Sequence, residues 1–169
     1  VDLGIKALAT CSDGTVFEGV KAYQKLEAKL SRMQYLLRKK VRGSQNCQKA
    51  QKKIGRLHLR IANLRKDNLH KITTYLAKNH SRVVIEDLNV SGMMANHKLA
   101  KAIGDMGFYE FRRQLEYKAQ LYGSEVVTVN RFYPSSKTCS NCQTLKESLS
   151  LSERVFNCDH CGLSIDRDL

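Results

Sequence analysis

The sequence predicts an α/β or α+β fold, and three observations carry that expectation. Short β-branched runs at 1–17, 81–88 and 126–129 alternate with long stretches of helical periodicity. Proline occurs once in 169 residues, so little in the chain forces a helix to break. Hydrophobic residues make up 42 %, a composition that supports a buried core and excludes a wholly disordered chain.

Residues 1 to about 20 read as a hairpin. Leu3, Ile5 and Leu8 fall in a first strand, Cys11-Ser12-Asp13-Gly14 supplies a turn, and Thr15-Val16-Phe17 begins a second strand. Residues 21–80 read as a long antiparallel helical hairpin. Leu26, Leu30, Met33 and Leu37 recur on one helix, and Ile54, Leu57, Ile61, Leu64, Ile72 and Leu76 on the other, with Val41-Arg42-Gly43-Ser44 between them. The steps of three, four and three from Ile54 to Leu64 match the seam of a coiled coil. Residues 81–88, ending in Ile85-Glu86-Asp87-Leu88, read as a buried strand with an acidic end, and 89–97 as a polar loop with methionines. One helix is expected over 98–122, with Leu99, Ile103, Met106, Phe111, Leu115 and Leu121 inward and Gly123 as its cap. Val126–Val129 form the next strand, and 132–163 a cysteine module.

Charge points to the partner. The net charge is +13 and the pI about 9.6, so the chain is attracted to polyanions, of which nucleic acid is the commonest. Within 21–80 there are 17 lysines and arginines against two acids, Glu27 and Asp67. A charged helix face is usually just solvated, but like charges repel, and this imbalance favours a phosphate contact along Lys49, Lys52, Lys53, Arg56 and Arg60. Lys137 and Arg167, flanking the cysteine module, join that set. No apolar run approaches 18 residues and no signal or lipidation motif is present, so a cytoplasmic location without membrane contact is expected, with association to the nucleoid when DNA is bound. The chain opens on an apolar strand without a methionine and stops just after a charged motif, which suggests a segment of a longer protein.

The strongest chemical signal is Cys139-x-x-Cys142, fifteen intervening residues, then Cys158-x-x-Cys161. Two such knuckles offer four thiolates in tetrahedral array, which suits a structural Zn2+ and leaves no position for a reacting water. Reduced thiols or disulfides are the ordinary alternative, and an iron centre of the same geometry stays open. His160 stands between two ligands with no vacancy to fill. Gly162 follows the second knuckle, where positive φ is needed, and Gln143 holds the same place after the first. Cys11 and Cys47 stand alone.

A weaker signal comes from acids at element ends: Asp2 in the first strand, Glu86 at the end of the central strand, and Asp166 and Asp168 after the cysteines. Carboxylates near a core are unfavourable unless paired or bound to a cation. Convergent carboxylates on a phosphate-seeking protein suggest divalent ions, although single acids at strand ends are more often paired or solvated. Asp87 and Asp105 are read as surface residues.

Five stretches in order resemble the C-terminal nuclease half of the TnpB proteins, transposon-encoded RNA-guided DNA endonucleases related to compact type V CRISPR effectors. They are Val1-Asp2-Leu3-Gly4, Val84-Ile85-Glu86-Asp87-Leu88, Phe132 to Cys142, Phe156 to Gly162, and Ile165-Asp166-Arg167-Asp168. The resemblance implies an RNase H-like, RuvC-type core over 1–131 with the helical hairpin inserted at about 21–80. It also implies a zinc ribbon at 132–163 and a truncated last acidic motif at 164–169. It assigns two catalytic Mg2+ ions to Asp2, Glu86 and Asp168, with Asp166 as the fallback, and names guide RNA and target DNA as partners. Phe132, Tyr133 and Tyr122 become candidates for base stacking. The guide-binding region that precedes this segment in the family is missing, and the Asn-Ala-Ala continuation of the last motif is absent. The oligomeric state is not readable. A non-catalytic zinc-ribbon binding module and a strand-transferring transposase are the competing functions.

Overall fold

In the computed structural model, which describes residues 1–130, 137–146, 150, 153 and 155–166, the amino-terminal hairpin resolves into three strands. Strands β1 (Asp2–Leu3), β2 (Ala9–Thr10) and β3 (Val16–Phe17) pair antiparallel, with Asp2 opposite Thr10 and Thr10 opposite Val16. The expected single strand through Leu3, Ile5 and Leu8 is interrupted by a bend at 4–8. Gly4 closes it, its N–H donating to the Leu8 carbonyl at 3.3 Å, and a Cβ at Gly4 would lie only 3.1 Å from the Ala7 carbonyl. The turn at Cys11–Gly14 forms as expected, with Gly14 at φ 84°.

The helical hairpin consists of α1 (Ala22–Arg38) and α2 (Gln45–Asn79). Val41–Ser44 joins them, and the Ser44 hydroxyl accepts from the Cys47 N–H at 3.2 Å as the cap of α2. Along the hairpin, Ile54, Leu57 and Ile61 pack on Ala22, Leu26, Leu30 and Met33 of α1. The seam does not continue to Leu64, which is 38 % exposed; Leu69 is buried instead. The partner changes there from α1 to a helix of the core, so the inward face of α2 rotates.

Strands β4 (Arg82–Glu86) and β5 (Glu125–Val129) pair in parallel, Arg82 opposite Glu125 and Glu86 opposite Val129. The backbone nitrogen of Val1 donates to the Val84 carbonyl at 2.7 Å, joining β1 to β4. Strand β4 is half-buried rather than fully buried: Val83 and Ile85 enter the core while Arg82 and Val84 remain exposed. That alternation follows from packing on one face, where Val83 and Ile85 meet Leu69, Ile72 and Leu76 of α2 together with Phe111 and Leu115.

Two further expectations are corrected between β4 and β5. The polar loop contains a short helix, α3 (Val90–Met94), because Asn89 Oδ1 accepts from the Gly92 N–H at 3.0 Å. The single helix over 98–122 is two, α4 (Ala100–Met106) and α5 (Phe108–Tyr122), broken at Gly107 with φ 74°. Gly107 also lies where α2 passes close: a Cβ there would stand 3.2 Å from Arg65 and Leu69 side-chain atoms. The break turns Leu99 and Leu121 outward, while Phe108 and Ala119 join Ile103, Met106, Phe111 and Leu115 inside. Gly123 caps α5 as expected, at φ 77°.

Asp105 is not a surface residue. Its side chain is buried, and its two carboxylate oxygens accept the N–H groups of Tyr23 (2.9 Å) and Gln24 (3.1 Å) in the first turn of α1, which has no cap of its own. Asp105 therefore pins the base of the hairpin to α4. Asp105→Ala orphans two amides, and a loss of about 2–3 kcal/mol is expected. By thermal denaturation this is a fall in Tm of roughly 5–10 °C for a domain of this size.

A second buried polar group, Lys118 of α5, faces α2. Its ammonium donates to the His70 carbonyl, Thr73 Oγ1 and Thr74 Oγ1, each at 2.8 Å, and burial pushes its pKa down. Both threonine hydroxyls also reach main-chain carbonyls, Thr73 to Leu69 at 2.7 Å and Thr74 to His70 at 2.6 Å, so removing the ammonium leaves neither without a partner. Lys118→Met is accordingly expected to change stability by less than about 1.5 kcal/mol, whereas Lys118→Ala, which leaves a void, costs about 2 kcal/mol or more. Chemical denaturation of both variants checks this.

No helix among the described residues is long and apolar enough to cross a membrane.

Candidate functional site

Two places gather chemistry-bearing side chains. The first is the cysteine module. Strands β6 (Val155–Asn157) and β7 (Ser164–Asp166) pair antiparallel, with Asn157 opposite Ser164, so the pairing of the module runs on through Asp166. Cys139, Cys142, Cys158 and Cys161 bring their sulfurs within 4.8 Å of one another. Cys139 Sγ lies 3.5 Å from Cys161 Sγ, and Cys142 Sγ 3.5 Å from Cys158 Sγ. A disulfide would require about 2.05 Å, so none is formed. Four sulfurs around one zinc at about 2.3 Å stand roughly 3.8 Å apart, and this cluster fits that set.

Two of the four thiols are shifted toward the thiolate, while burial and the neighbouring sulfurs push Cys139 up to about 11. A hydrogen bond from Thr144 pushes the Cys142 thiol down to about 5, helped by the Thr144 amide. The Leu163 amide, and then the Asn141 side chain, lower Cys161. Both turns need a left-handed residue, and they have one: Gly162 at φ 72° and Gln143 at φ 59°. The glutamine therefore sits in the conformation that glycine adopts more readily, as the sequence implies. His160 is exposed and outside the cluster.

The second place is the end of the central sheet. Asp2 of β1 and Glu86 of β4 lie on the two strands that the Val1–Val84 bond joins. Asp2 is exposed and Glu86 half-buried. A cleft of about 430 Å³ opens beside Glu86, lined by Leu3, Asn89, Ser91, Tyr109, Arg112 and Arg113 among others. Its arginines are committed. Arg112 donates to Asp87 and to Glu116, both at 2.8 Å, and Arg113 to both oxygens of Glu110 at 2.7 and 2.8 Å. The Arg113 hydrogen bonds hold Glu110 down at about 2. With Glu86, Asp87, Glu110 and Glu116 against two guanidiniums, this end of the sheet carries excess negative charge on a protein of net charge +13. Asp87, read from sequence as a surface acid, is a half-buried partner of Arg112. The Arg112 and Arg113 ladder was not foreseen; its only trace in the sequence is the i, i+3 and i, i+4 spacing of Glu110, Arg113, Arg112 and Glu116.

Asp168 and Arg167 lie outside the described residues, as do Phe132 and Tyr133, and of Asp166 only the backbone is described. Lys49, Lys52, Lys53, Arg56 and Arg60 are all exposed on α2, and Lys137 is half-buried at the edge of the cysteine module. Tyr122 is 42 % exposed, with the Lys78 ammonium 4.9 Å above its ring.

Comparison with known proteins gives two family models. Residues 1–97 match a family model described as "Probable transposase" (OrfB_IS605), and residues 108–169 match "Cas12f1-like, TNB domain". The whole chain is 42 % identical to a Streptomyces pristinaespiralis protein named "Putative RNA-guided DNA endonuclease", covering 42 % of that protein. It is 43 % identical to an Escherichia coli K12 protein carrying the same description, covering 46 % of it. The chain thus spans less than half the length of these relatives. In three dimensions, 99 % of it superposes on 46 % of the protein chain in "Cryo-EM structure of the Cas12f1-sgRNA-target DNA complex", with a TM-score of 0.64 at 18 % identity, which shows a shared fold. The first of these family models alone covers more than half of the sequence, and the chain belongs to the OrfB_IS605 family, that of the TnpB proteins and their Cas12f1 relatives.

Proposed function

We propose that this chain is the nuclease half of an RNA-guided DNA endonuclease, working with guide RNA and target DNA. In this reading its sheet is an RNase H-like, RuvC-type core, and Asp2, Glu86 and Asp168 hold two Mg2+ ions. The observation that carries it is the join between β1, which carries Asp2, and β4, which carries Glu86, beside an open cleft that Leu3 and Glu86 line. The strand order supports it as well: β3, β2 and β1 antiparallel, then β4 joined to β1 and β5 parallel to β4.

The donor chemistry fits. Magnesium takes oxygen ligands and keeps several waters, and one exposed and one half-buried carboxylate leave room for both. When bound, the two ions would supply the electrostatic stabilisation of in-line phosphodiester hydrolysis, which leaves a 3′-hydroxyl and a 5′-phosphate. The chain's own contribution is to hold Asp2 and Glu86 on rigid strands. Arg112 keeps Asp87 turned to α5 and so separates it from the proposed ligands. The four cysteines hold a structural zinc that orders the ribbon and, through β7, sets the approach of the last acidic motif. The exposed lysines and arginines of α2 guide strands by phosphate contact, and base pairing to the guide selects the sequence.

The test uses the complete protein with guide RNA, matched DNA and magnesium. Cleavage by wild type that disappears in Asp2→Ala supports the proposal. DNA binding without cleavage favours a non-catalytic module. Strand joining favours a transposase, the activity after which the matching family is described.

A further inference from the structure

We infer that a lysine-rimmed pocket beside the bend that follows β1 is an anchoring site for single-stranded DNA. The pocket has a volume of about 660 Å³, and Lys6, Lys21, Lys98 and Lys101 stand around an apolar floor that includes Ile5 and Leu99. Among the described residues its acids are Glu27 and Asp105, and both already have partners. Asp105 is bonded to the Tyr23 and Gln24 amides, and Glu27 is paired with Lys101 at 2.6 Å. Lys6 and Lys98 have no carboxylate partner among the described residues, and Lys21 reaches only the Lys6 carbonyl at 3.4 Å. Four lysines thus meet two carboxylates around one concavity, a net positive charge that an anion relieves.

The apolar floor narrows the anion. Leu99 is 44 % exposed, and Ile5 is half-buried. Inorganic phosphate makes no use of such a surface, whereas an unstacked base covers it while its flanking phosphates meet the lysines. The contrast with the cleft at Glu86, where both arginines are neutralised, is the second argument: one hollow has negative charge to spare and the other positive.

Their spacing joins them. Leu3 lines the acidic cleft and Ile5 lines the lysine pocket. These two residues flank Gly4 where the chain bends, so the two hollows border the same short segment. This inference rests on the proposed function for its choice of DNA, but the pocket's charge and shape do not depend on it.

Lys6→Glu and Lys98→Glu are both exposed and leave the core untouched. The complete protein, without guide and without added magnesium, is titrated with a fluorescent twelve-nucleotide oligo-dT over a range of salt. The double variant is expected to bind at least about tenfold more weakly, and its plot of log affinity against log salt to flatten by about 1.4, the value for two lost single-strand phosphate contacts. Reversal of the exposed Lys39 and Lys40, at the other end of α1 and outside the proposed phosphate contacts, serves as the control for a general charge effect. Equal losses in the two double variants, or an unchanged slope in Lys6→Glu/Lys98→Glu, overturn the pocket. An oligo-U of the same length tests the sugar: if only RNA binding falls, the occupant is RNA and the DNA assignment is wrong. The two proposals fail separately. If wild type never cleaves but the double variant still loses oligo-dT, the pocket stands and the nuclease falls; cleavage with unaltered oligo-dT binding gives the reverse.

Discussion

Glu86→Gln is expected to lower DNA cleavage by the complete, guided protein at least about a thousandfold, equivalent to about 4 kcal/mol of transition-state stabilisation. It should leave the thermal unfolding curve nearly unchanged. The reason is local. Glu86 ends a strand, is half-buried, and opens onto the cleft, so an isosteric amide disturbs no packing while removing a charge that a divalent ion needs. Its neighbour is the control. Asp87 points at Arg112 on α5, and both side chains are at least a third exposed, so Asp87→Asn is expected to cost no more than about 1 kcal/mol of stability and to leave cleavage within about tenfold. Rates from single-turnover assays, with circular dichroism melts of the same preparations, separate the two. A large loss in Asp87→Asn with little in Glu86→Gln would mean that the neighbouring carboxylate is the ligand.

Cys139→Ser is expected to unfold the ribbon as a unit and release its zinc. Cys139 is fully buried at the centre of the four sulfurs. Among the described residues, the packing around it amounts to Phe156 with the partly buried Leu163 and Ile165. Side chains of that kind contribute about 2 kcal/mol each, whereas binding of structural zinc contributes on the order of 10 kcal/mol. Wild type should hold one zinc per chain by elemental analysis and the variant close to none. Amide signals of the ribbon should collapse to random-coil positions while those of α2 and α5 persist. Because β7 belongs to the ribbon's own sheet, a chelator that removes the zinc should also impair cleavage in excess magnesium. Activity unchanged in zinc-free protein would detach the ribbon from the reaction.

The features legible in the sequence were those governed by neighbours in the chain. The knuckles, the turn at Gly14, the cap at Gly123 and the loop at Val41–Ser44 all follow from local chemistry. What escaped was governed by partners far along the chain. Asp105 looks like any helix-surface acid until α1, more than 80 residues earlier, presents two bare amides to it. Leu64 continues a perfect heptad step yet is exposed, because α2 leaves α1 for α5 one turn later and Leu69 takes the inward place. Gly107 reads as a tolerable helix interruption and becomes a full break only where α2 crosses it. The candidate site divides in the same way. Asp2 and Glu86 stand out as acids within apolar strands, while the ion pairs that neutralise Arg112 and Arg113 appear only once α5 lies beside the end of β4.

The change of partner along α2 has a mechanical consequence. Its 35 residues make a rod about 50 Å long. The inner part is clamped in the main core by Leu69, Ile72 and Leu76, and the outer part is steadied, among the described residues, by the small cluster with α1. The residues from Gln45 to Leu64 are therefore an arm of roughly 30 Å on a fixed pivot, so a tilt of about 10° at Leu64 sweeps the tip through about 5 Å. Load applied to Lys49, Lys52 and Lys53 is delivered as torque at the level of Gly107, where α2 touches the junction of α4 and α5 that carries Tyr109 and Arg112 to the cleft. Grip at one end of the rod and geometry at the other are coupled by stiffness alone.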